Sequence, residues 1–412
     1  MARKGFIAAL DIGTTKICCF VAEVDDAQKA RIVGIGHHAS LGLKAGAIVD
    51  MEQAEQSIIA AVNAAEQMAG VTIRDVVVNI TSGGPISHTI QTETNIGGGA
   101  IGESEIRKLL NESKFQDLPS NRTLIHSIPV GYKIDGSNGI RDPRNMYGQT
   151  LGVHVHTITT LIGAVQNLDT CIQRCHLNVS AHVISPYASG LACLVEDEMD
   201  LGVTIIEMGG GATSFAVFFN GSMVHADSVP VGGVHVTHDI ARGLSTPLSH
   251  AERLKTLHGG ALPSPTDERE IVDAPQIGEE EDGGHNRVPK SFLVSIIAPR
   301  LEETLEIIRA KLENSGMGRI AGRRVVLTGG ASQLPGVREL ASQILDKQIR
   351  MGRPIRTTGL AEATEGPAFA TGAGLLSYAL DDRGEISTMP MGRPKLANGR
   401  FARLGGWLRD SF

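Results

Sequence analysis

The stretch from Val203 to Gly221 constrains this chain more than any other. Val203-Thr-Ile-Ile206 reads as a short apolar strand, and after Glu207-Met208 the chain breaks into Gly209-Gly-Gly211, then Ala212-Thr-Ser214. A second strand, Phe215–Phe219, follows at once and ends at the turn Asn220-Gly221. Consecutive glycines allow a tight backbone turn and let amide N–H groups approach an anion with no Cβ in the way. Glu207 stands two residues before them, where a carboxylate could hold a hydrated magnesium ion. The hairpin can therefore carry a phosphate tail and its metal, although a plain β-hairpin with a glycine bulge would need the same residues.

The N-terminus repeats the pattern. Phe6–Leu10 is a strand, Asp11-Ile-Gly-Thr-Thr-Lys16 turns, and Ile17–Ala22 is the next strand. A carboxylate again precedes a Gly/Thr turn, now followed by a lysine. A third turn, Thr328-Gly-Gly-Ala-Ser332, follows the strand Val325–Leu327 and opens a helix. These segments, in this order, resemble the actin/Hsp70/sugar-kinase ATPase superfamily. The resemblance implies an α/β, actin-like (ribonuclease H-like, duplicated) two-domain fold that grips ATP and Mg2+ between its halves. It also implies roles. Gly13, Thr14, Thr15 and Lys16, with Gly209, Gly210, Gly211 and Ala212, would hold the phosphates. Asp11 and Glu207 would position the metal through water, Glu207 standing where relatives usually carry aspartate. Gly329, Gly330 and Ala331 would approach the adenosine. In the run Ser249-His-Ala-Glu-Arg-Leu-Lys255, Glu252 and Lys255 match a helix that closes over adenine and ribose; a solvated helix face reads the same way.

With 412 residues the chain is long enough for two to four domains. Aromatic content of 4% offers few platforms for stacked bases, and a net charge of −7 argues against a nucleic-acid partner. Five cysteines and no signal peptide point to a reducing cytosol, and no apolar stretch reaches the length of a membrane-spanning helix. Cys171-x3-Cys175-His176 departs from zinc-knuckle spacing and reads as helical thiols packed inside. His154 and His156 share one face of an apolar strand and read as surface or packing residues.

The first domain runs from residue 1 to 84, with a helix over Met51–Ala69 ended by Gly70. Residues 85–160 differ: a short β segment, a helix from about Ser104, which could cap it, to Ser113, and strands Thr123–Tyr132 and Leu151–Thr160. An insertion of this kind at this point, carrying Ile128-Pro-Val-Gly-Tyr132 and Gly139-Ile-Arg-Asp-Pro143, resembles the bacterial FtsA family of cell-division proteins. There the insertion replaces actin's second small subdomain. The first domain resumes over 161–200, with a helix at Leu168–Cys175. Val183–Gly190 resembles the superfamily's first interdomain connector. Relatives that hydrolyse ATP well place Gln or Glu just ahead of it; Ala181 and His182 stand there in this chain, which argues for a slow ATPase at most.

The second domain follows as 201–240, with a helix over Val236–Ala241, a small lobe over 241–322, and the returning sheet over 323–362. In the small lobe, residues 262–290 are rich in Pro, Gly and acid and read as a mobile loop with Glu279–Asp282 at its tip. Pro299–Asn314 is an amphipathic helix burying Leu301, Leu305, Ile308 and Leu312 and turning Arg300, Glu303, Glu306 and Lys311 outward. In FtsA-like proteins this lobe binds the tail of the tubulin-like protein FtsZ, which marks Arg300 and Glu303. Residues 363–381 form a small-residue helix returning to the first domain.

Residues 382–399 are a Gly/Pro linker to a terminal amphipathic helix over 400–412. On a helical wheel Phe401, Leu404, Trp407, Leu408 and Phe412 fall on one side, while Arg400, Arg403 and Arg409 supply positive charge. This pattern fits in-plane binding to anionic phospholipid. Gly405 and Gly406 disfavour the helix in water, so it would fold on contact. FtsA-like proteins end in such an anchor. The resemblance thus implies a scaffold that polymerises, ties FtsZ filaments to the cytoplasmic face of the inner membrane, and recruits later division proteins. Two alternatives remain. A sugar kinase would need a catalytic base, which is not evident, and an Hsp70 a peptide-binding domain after residue 380, for which 381–412 is too short. A pilus-assembly platform with the same body would not need the amphipathic terminus.

Overall fold

The computed structural model describes residues 5–25, 29–114, 118–278, 286–355, 357–359 and 364–380. In the first half, β1 (Gly5–Ile12), β2 (Lys16–Val24) and β3 (Ala30–Ala39) form an antiparallel meander. A short hairpin of β4 (Leu43–Lys44) and β5 (Ala47–Ile48) leads to α1 (Met51–Ala69) and β6 (Asp75–Ile80). Asp50 caps α1 by accepting from Gln53 N at 3.1 Å, and Gly70 closes it at φ 68°. The buried stripe Ala54, Ile58, Ala61, Val62 and Ala65 seats α1 on the sheet.

The chain then leaves for a separate sheet: β7 (Ile86–Asn95), α2 (Glu103–Lys114), β8 (Arg122–Ile134), β9 (Ser137–Ile140) and β10 (Thr150–Leu161), in the order β7-β10-β8-β9. Leu151, Val153 and Val155 of β10 pack beneath Ile106, Leu109 and Leu110 of α2. Ser104 lies inside α2 rather than at its cap; Glu105 accepts from Gly102 N at 2.9 Å and fixes the entry instead. The first half resumes with α3 (Ile162–Arg174) and β11 (Asn178–Ile184), completing the sheet β11-β6-β1-β2-β3.

Two short helices, α4 (Ser185–Cys193) and α5 (Glu196–Leu201), carry the chain to the second half. There β12 (Val203–Met208), β13 (Thr213–Phe219) and β14 (Ser222–Val229) form another meander. Its small lobe holds α6 (Gly233–Leu244), α7 (Leu248–His258), the hairpin β15 (Ile271–Ala274) with β16 (Asn286–Pro289), and α8 (Lys290–Asn314). The expected acidic tip, 279–282, lies outside the described residues. β17 (Arg324–Thr328), α9 (Val337–Leu345) and β18 (Gln348–Met351) finish a sheet ordered β14-β13-β12-β17-β18. Each half is thus an antiparallel three-strand meander extended by two parallel strands. α10 (Ala370–Leu380) returns to the first sheet and lies on α4, so the two connectors are stacked between the halves.

The helix expected over Pro299–Asn314 begins at Lys290. Pro299 suits a first turn, yet here it sits mid-helix. Leu293, Val294 and Ile297 are buried ahead of it, and their packing offsets the lost backbone hydrogen bond. α6 likewise starts at Gly233, three residues before Val236, because its first amides have partners: Gly233 N donates to Gly209 O at 3.0 Å and Val234 N to Gly210 O at 2.8 Å.

Candidate functional site

The β1–β2 and β12–β13 turns are built alike. Gly13 N donates to Lys16 O at 3.0 Å, and Gly209 N to Ala212 O at 2.9 Å. A Cβ on either glycine would stand 2.9 or 2.8 Å from that same carbonyl oxygen, so only glycine closes the turn without strain. Asp11 and Glu207 each precede the turn glycine by two residues. The third turn begins at Gly329, φ 88°, whose backbone lies against Met208; a Cβ there would meet Met208 O at 2.5 Å.

All three turns face one cleft. Its wall comprises Asp11, Gly13, Thr14, Thr15 and Lys16 from the first half, Glu207, Gly209–Ala212 and Ser214 from the second, and Gly329 and Gly330 from the third turn. The turns nearly touch: a Cβ on Gly210 would lie 2.6 Å from the Thr15 methyl, and one on Gly211 2.3 Å from Thr14 Oγ1. Thr14 Oγ1 also accepts from Gly46 N at 2.9 Å.

Five wall residues escaped the sequence reading: Asn79, Thr81, Ser214, Ala368 and Thr371. Asn79 ends β6 beside β1, accepting from Ile12 N at 2.7 Å and donating to Ser185 Oγ at 3.2 Å. Thr81 shares a 2.7 Å hydrogen bond with Ser185 Oγ. A lone polar residue closing the apolar strand Asp75–Ile80 was the available signal for Asn79. Ala368 and Thr371 sit in a small-residue segment whose composition announces only close helix packing.

Burial in the cleft pushes the Asp11 carboxyl up to about 6 against the pull of Lys16, and the Glu207 carboxyl up to about 7, with the charge of Asp11 adding to the rise. Two carboxylates facing one another in a poorly solvated cleft repel unless a cation intervenes. Among the described residues no group of three or more His, Cys, Asp or Glu could hold a metal alone. Two acids beside a rim of glycine amides instead suit Mg2+, which keeps waters and takes phosphate oxygens as partners. The residues present therefore suit a magnesium–phosphate ligand.

Ala331 stands behind this wall, with its Cβ 3.3 Å from where a Cβ on Gly233 would lie. Glu252 and Lys255 are one layer further out on α7. Lys255 Nζ donates to Glu252 at 2.6 Å, to Thr237 Oγ1 at 2.9 Å and to Gly233 O at 3.1 Å, which ties α7 to the α6 terminus that rests on the second turn. His182, just ahead of the first connector, shares a 2.6 Å hydrogen bond with Asp169 of α3. Arg300 of α8 pairs with Asp239 of α6 at 2.6 and 3.2 Å and with Glu303. The Cys175 thiol donates to Cys171 O at 3.2 Å beside α1, and both cysteines are free. The membrane-binding residues Arg400, Phe401, Arg403, Leu404, Trp407, Leu408, Arg409 and Phe412 lie outside the described residues, as does the 382–399 linker.

Comparison with known proteins agrees with this architecture. A family model described as cell division protein FtsA matches residues 204–374, and one described as the SHS2 domain inserted in FtsA matches residues 83–159. The chain is 43% identical to a cell division protein FtsA of Rhizobium meliloti, over all of this chain and 96% of that protein. Among solved structures it is similar to a PilM–PilN type IV pilus biogenesis complex (TM-score 0.64, 17% identity, 91% of this chain and 98% of that one). It is also similar to MreB5 of Spiroplasma citri bound to ADP (TM-score 0.53, 13% identity, 91% of this chain and 95% of that one). Those distant likenesses establish the actin-like ATPase fold, and the full-length identity goes further: this chain belongs to the FtsA family of cell-division proteins.

Proposed function

We propose that this division protein is an ATP-binding scaffold, at most a slow ATPase, that tethers FtsZ filaments to the cytoplasmic face of the inner membrane, polymerises, and recruits later division proteins. The observation that carries the reading is the convergence of three glycine turns and two carboxylates on one interdomain cleft. Thr14, Thr15 and Lys16, with the amides of Gly13 and Gly209–Gly211, would bind the phosphates. Asp11 and Glu207 would hold hydrated Mg2+, whose charge would screen the phosphates. Gly329, Gly330 and Ala331 would approach the adenosine, with Glu252 and Lys255 fixing the far edge. MreB5, built on the same fold, is described with ADP. Ala181 and His182 stand where relatives that hydrolyse ATP well carry Gln or Glu, and His182 Nε2 is bonded to Asp169, in keeping with slow hydrolysis. The domain plan would be 1–84 with 161–200, the 85–160 insertion, 201–240 with 323–362, the 241–322 lobe and the 363–381 return helix. The lobe, through Arg300 and Glu303, would meet FtsZ, and the 400–412 segment would meet phospholipid.

One flotation experiment with anionic vesicles, purified FtsZ and a fluorescent ATP analogue tests the whole reading. The full chain should carry FtsZ and nucleotide to the vesicles. Lys16→Ala should lose ATP affinity by at least about tenfold, the scale of one charge-assisted hydrogen bond. Deleting 400–412 should abolish flotation but leave nucleotide binding intact. Undiminished ATP affinity in Lys16→Ala would reject the site, and flotation of the truncated chain would reject the anchor.

A further inference from the structure

All three turns of the cleft hold the start of one helix. Lys16 Nζ donates to Ala368 O at 2.8 Å and lies 3.4 Å from the centre of the Phe369 ring. Gly329 N and Thr328 Oγ1 both donate to Pro367 O, at 3.1 and 3.2 Å. The second turn reaches the same segment through its acid, which accepts a hydrogen bond from Thr371 Oγ1. Glu207 is one methylene longer than Asp11, its counterpart in the first turn, and that length carries its carboxylate to α10.

Thr371 is 4% exposed, and its hydroxyl shares a 2.9 Å hydrogen bond with Ser189 of α4. The other Glu207 oxygen accepts from Ser214 at 3.2 Å. Ser189 of α4 adds a further hydrogen bond to the same carboxylate. A carboxylate held by donors on both oxygens keeps a fixed plane, and its remaining lone-pair capacity faces the cleft. One of these donors, Thr371, belongs to α10, the helix that returns to the first half. We infer that Thr371 is a positioning residue: from the connector helix it orients the Glu207 carboxylate toward a hydrated divalent cation, coupling metal-dependent nucleotide binding to the placement of α10.

This rests on the nucleotide reading of the cleft, and the experiment separates the two. The affinity of the full chain for a fluorescent ATP analogue is measured with Mg2+ and again with EDTA, for the wild type, Thr371→Val, Thr371→Ser and Ser189→Ala. The wild type should bind more tightly with Mg2+. Thr371→Val should lose about tenfold of that advantage while its affinity in EDTA holds, the loss expected for a hydrogen bond to a charged group. Thr371→Ser should restore it. Ser189→Ala, which keeps the Thr371 hydroxyl but removes its brace and a further hydrogen bond to Glu207, should move the same way, and carries the test should Thr371→Val fail to fold. An unchanged Mg2+ advantage in the variants overturns the inference. So does an equal loss with and without Mg2+, which would mark a role in folding alone. A wild type that binds no nucleotide in either buffer overturns the reading of the cleft, and the inference with it.

Discussion

His156 of β10 is 1% exposed, no side chain pairs with either ring nitrogen among the described residues, and the Met223 backbone offers only a weak hydrogen bond. It lies where the inserted sheet meets β14, with Met223 and His225 of β14, His126 of β8 and His88 of β7 around it. Burial, helped by those imidazoles, pushes its pKa down to about 3. The sign follows: as pH falls below about 6.5 the unfolded chain takes up the proton first, so stability is lost from there down toward pH 3. Asp11 and Glu207, pushed up, bind protons in the folded state and give the opposite slope over part of this window. The informative quantity is therefore a difference. Relative to wild type, His156→Leu should gain about 2 kcal/mol in unfolding free energy between about pH 7.5 and pH 5, read from urea melts at each pH. A constant difference would show that His156 stays charged or solvated.

At the scale of elements, Arg300 of α8 holds α6 through Asp239, with both partners half-buried. Arg300→Ala strands that carboxylate and should cost about 1 kcal/mol in a thermal or urea melt. Glu303 is more than half exposed, so Glu303→Ala should leave the melt unchanged, which makes it the cleaner probe of any FtsZ contact on this face. What the sequence declared, and what it hid, follows the range of the forces involved. The glycine turns were legible because glycine after a strand and a carboxylate is a local steric demand, met within six residues. The 290–298 portion of α8 was hidden, because local rules end a helix at proline and only the buried Leu293, Val294 and Ile297 override them. Thr371 was hidden for the same reason at longer range: its partner is 164 positions away, and neither neighbourhood names the other. Ala331 stands beside Gly233, whose carbonyl accepts from Lys255, itself paired with Glu252.

The whole molecule is organised as a stack: first sheet, α10, α4, second sheet. Glycine sits at each contact. A Cβ on Gly372 would strike the Phe20 ring of β2 at 2.2 Å, one on Gly190 the Phe218 ring of β13 at 2.5 Å, and one on Gly374 the carbonyl oxygen of Ala188 at 1.8 Å. The last contact is backbone against backbone and cannot yield as a side chain can. Gly374→Ala should therefore cost at least about 2 kcal/mol of stability and weaken ATP binding by wedging the halves apart. Gly163→Ala at the open start of α3, where a Cβ meets nothing within 4 Å, is the matched control and should be neutral or slightly stabilising. Paired thermal melts decide the point: equal effects at the two positions would mean the crossing has slack.

The crossing of α4 and α10 also dictates the kind of motion open to the molecule. Two rods touching backbone to backbone at Gly374 and Ala188, and tied beside that point by the Ser189–Thr371 hydrogen bond, cannot slide past one another without losing contact, but they can rotate like shear blades about a rivet. A few degrees at the rivet shift the cleft by little. The same rotation would load the seam where the inserted sheet meets β14, held by Ser87 on Ala226, so that seam sets how far the blades can turn.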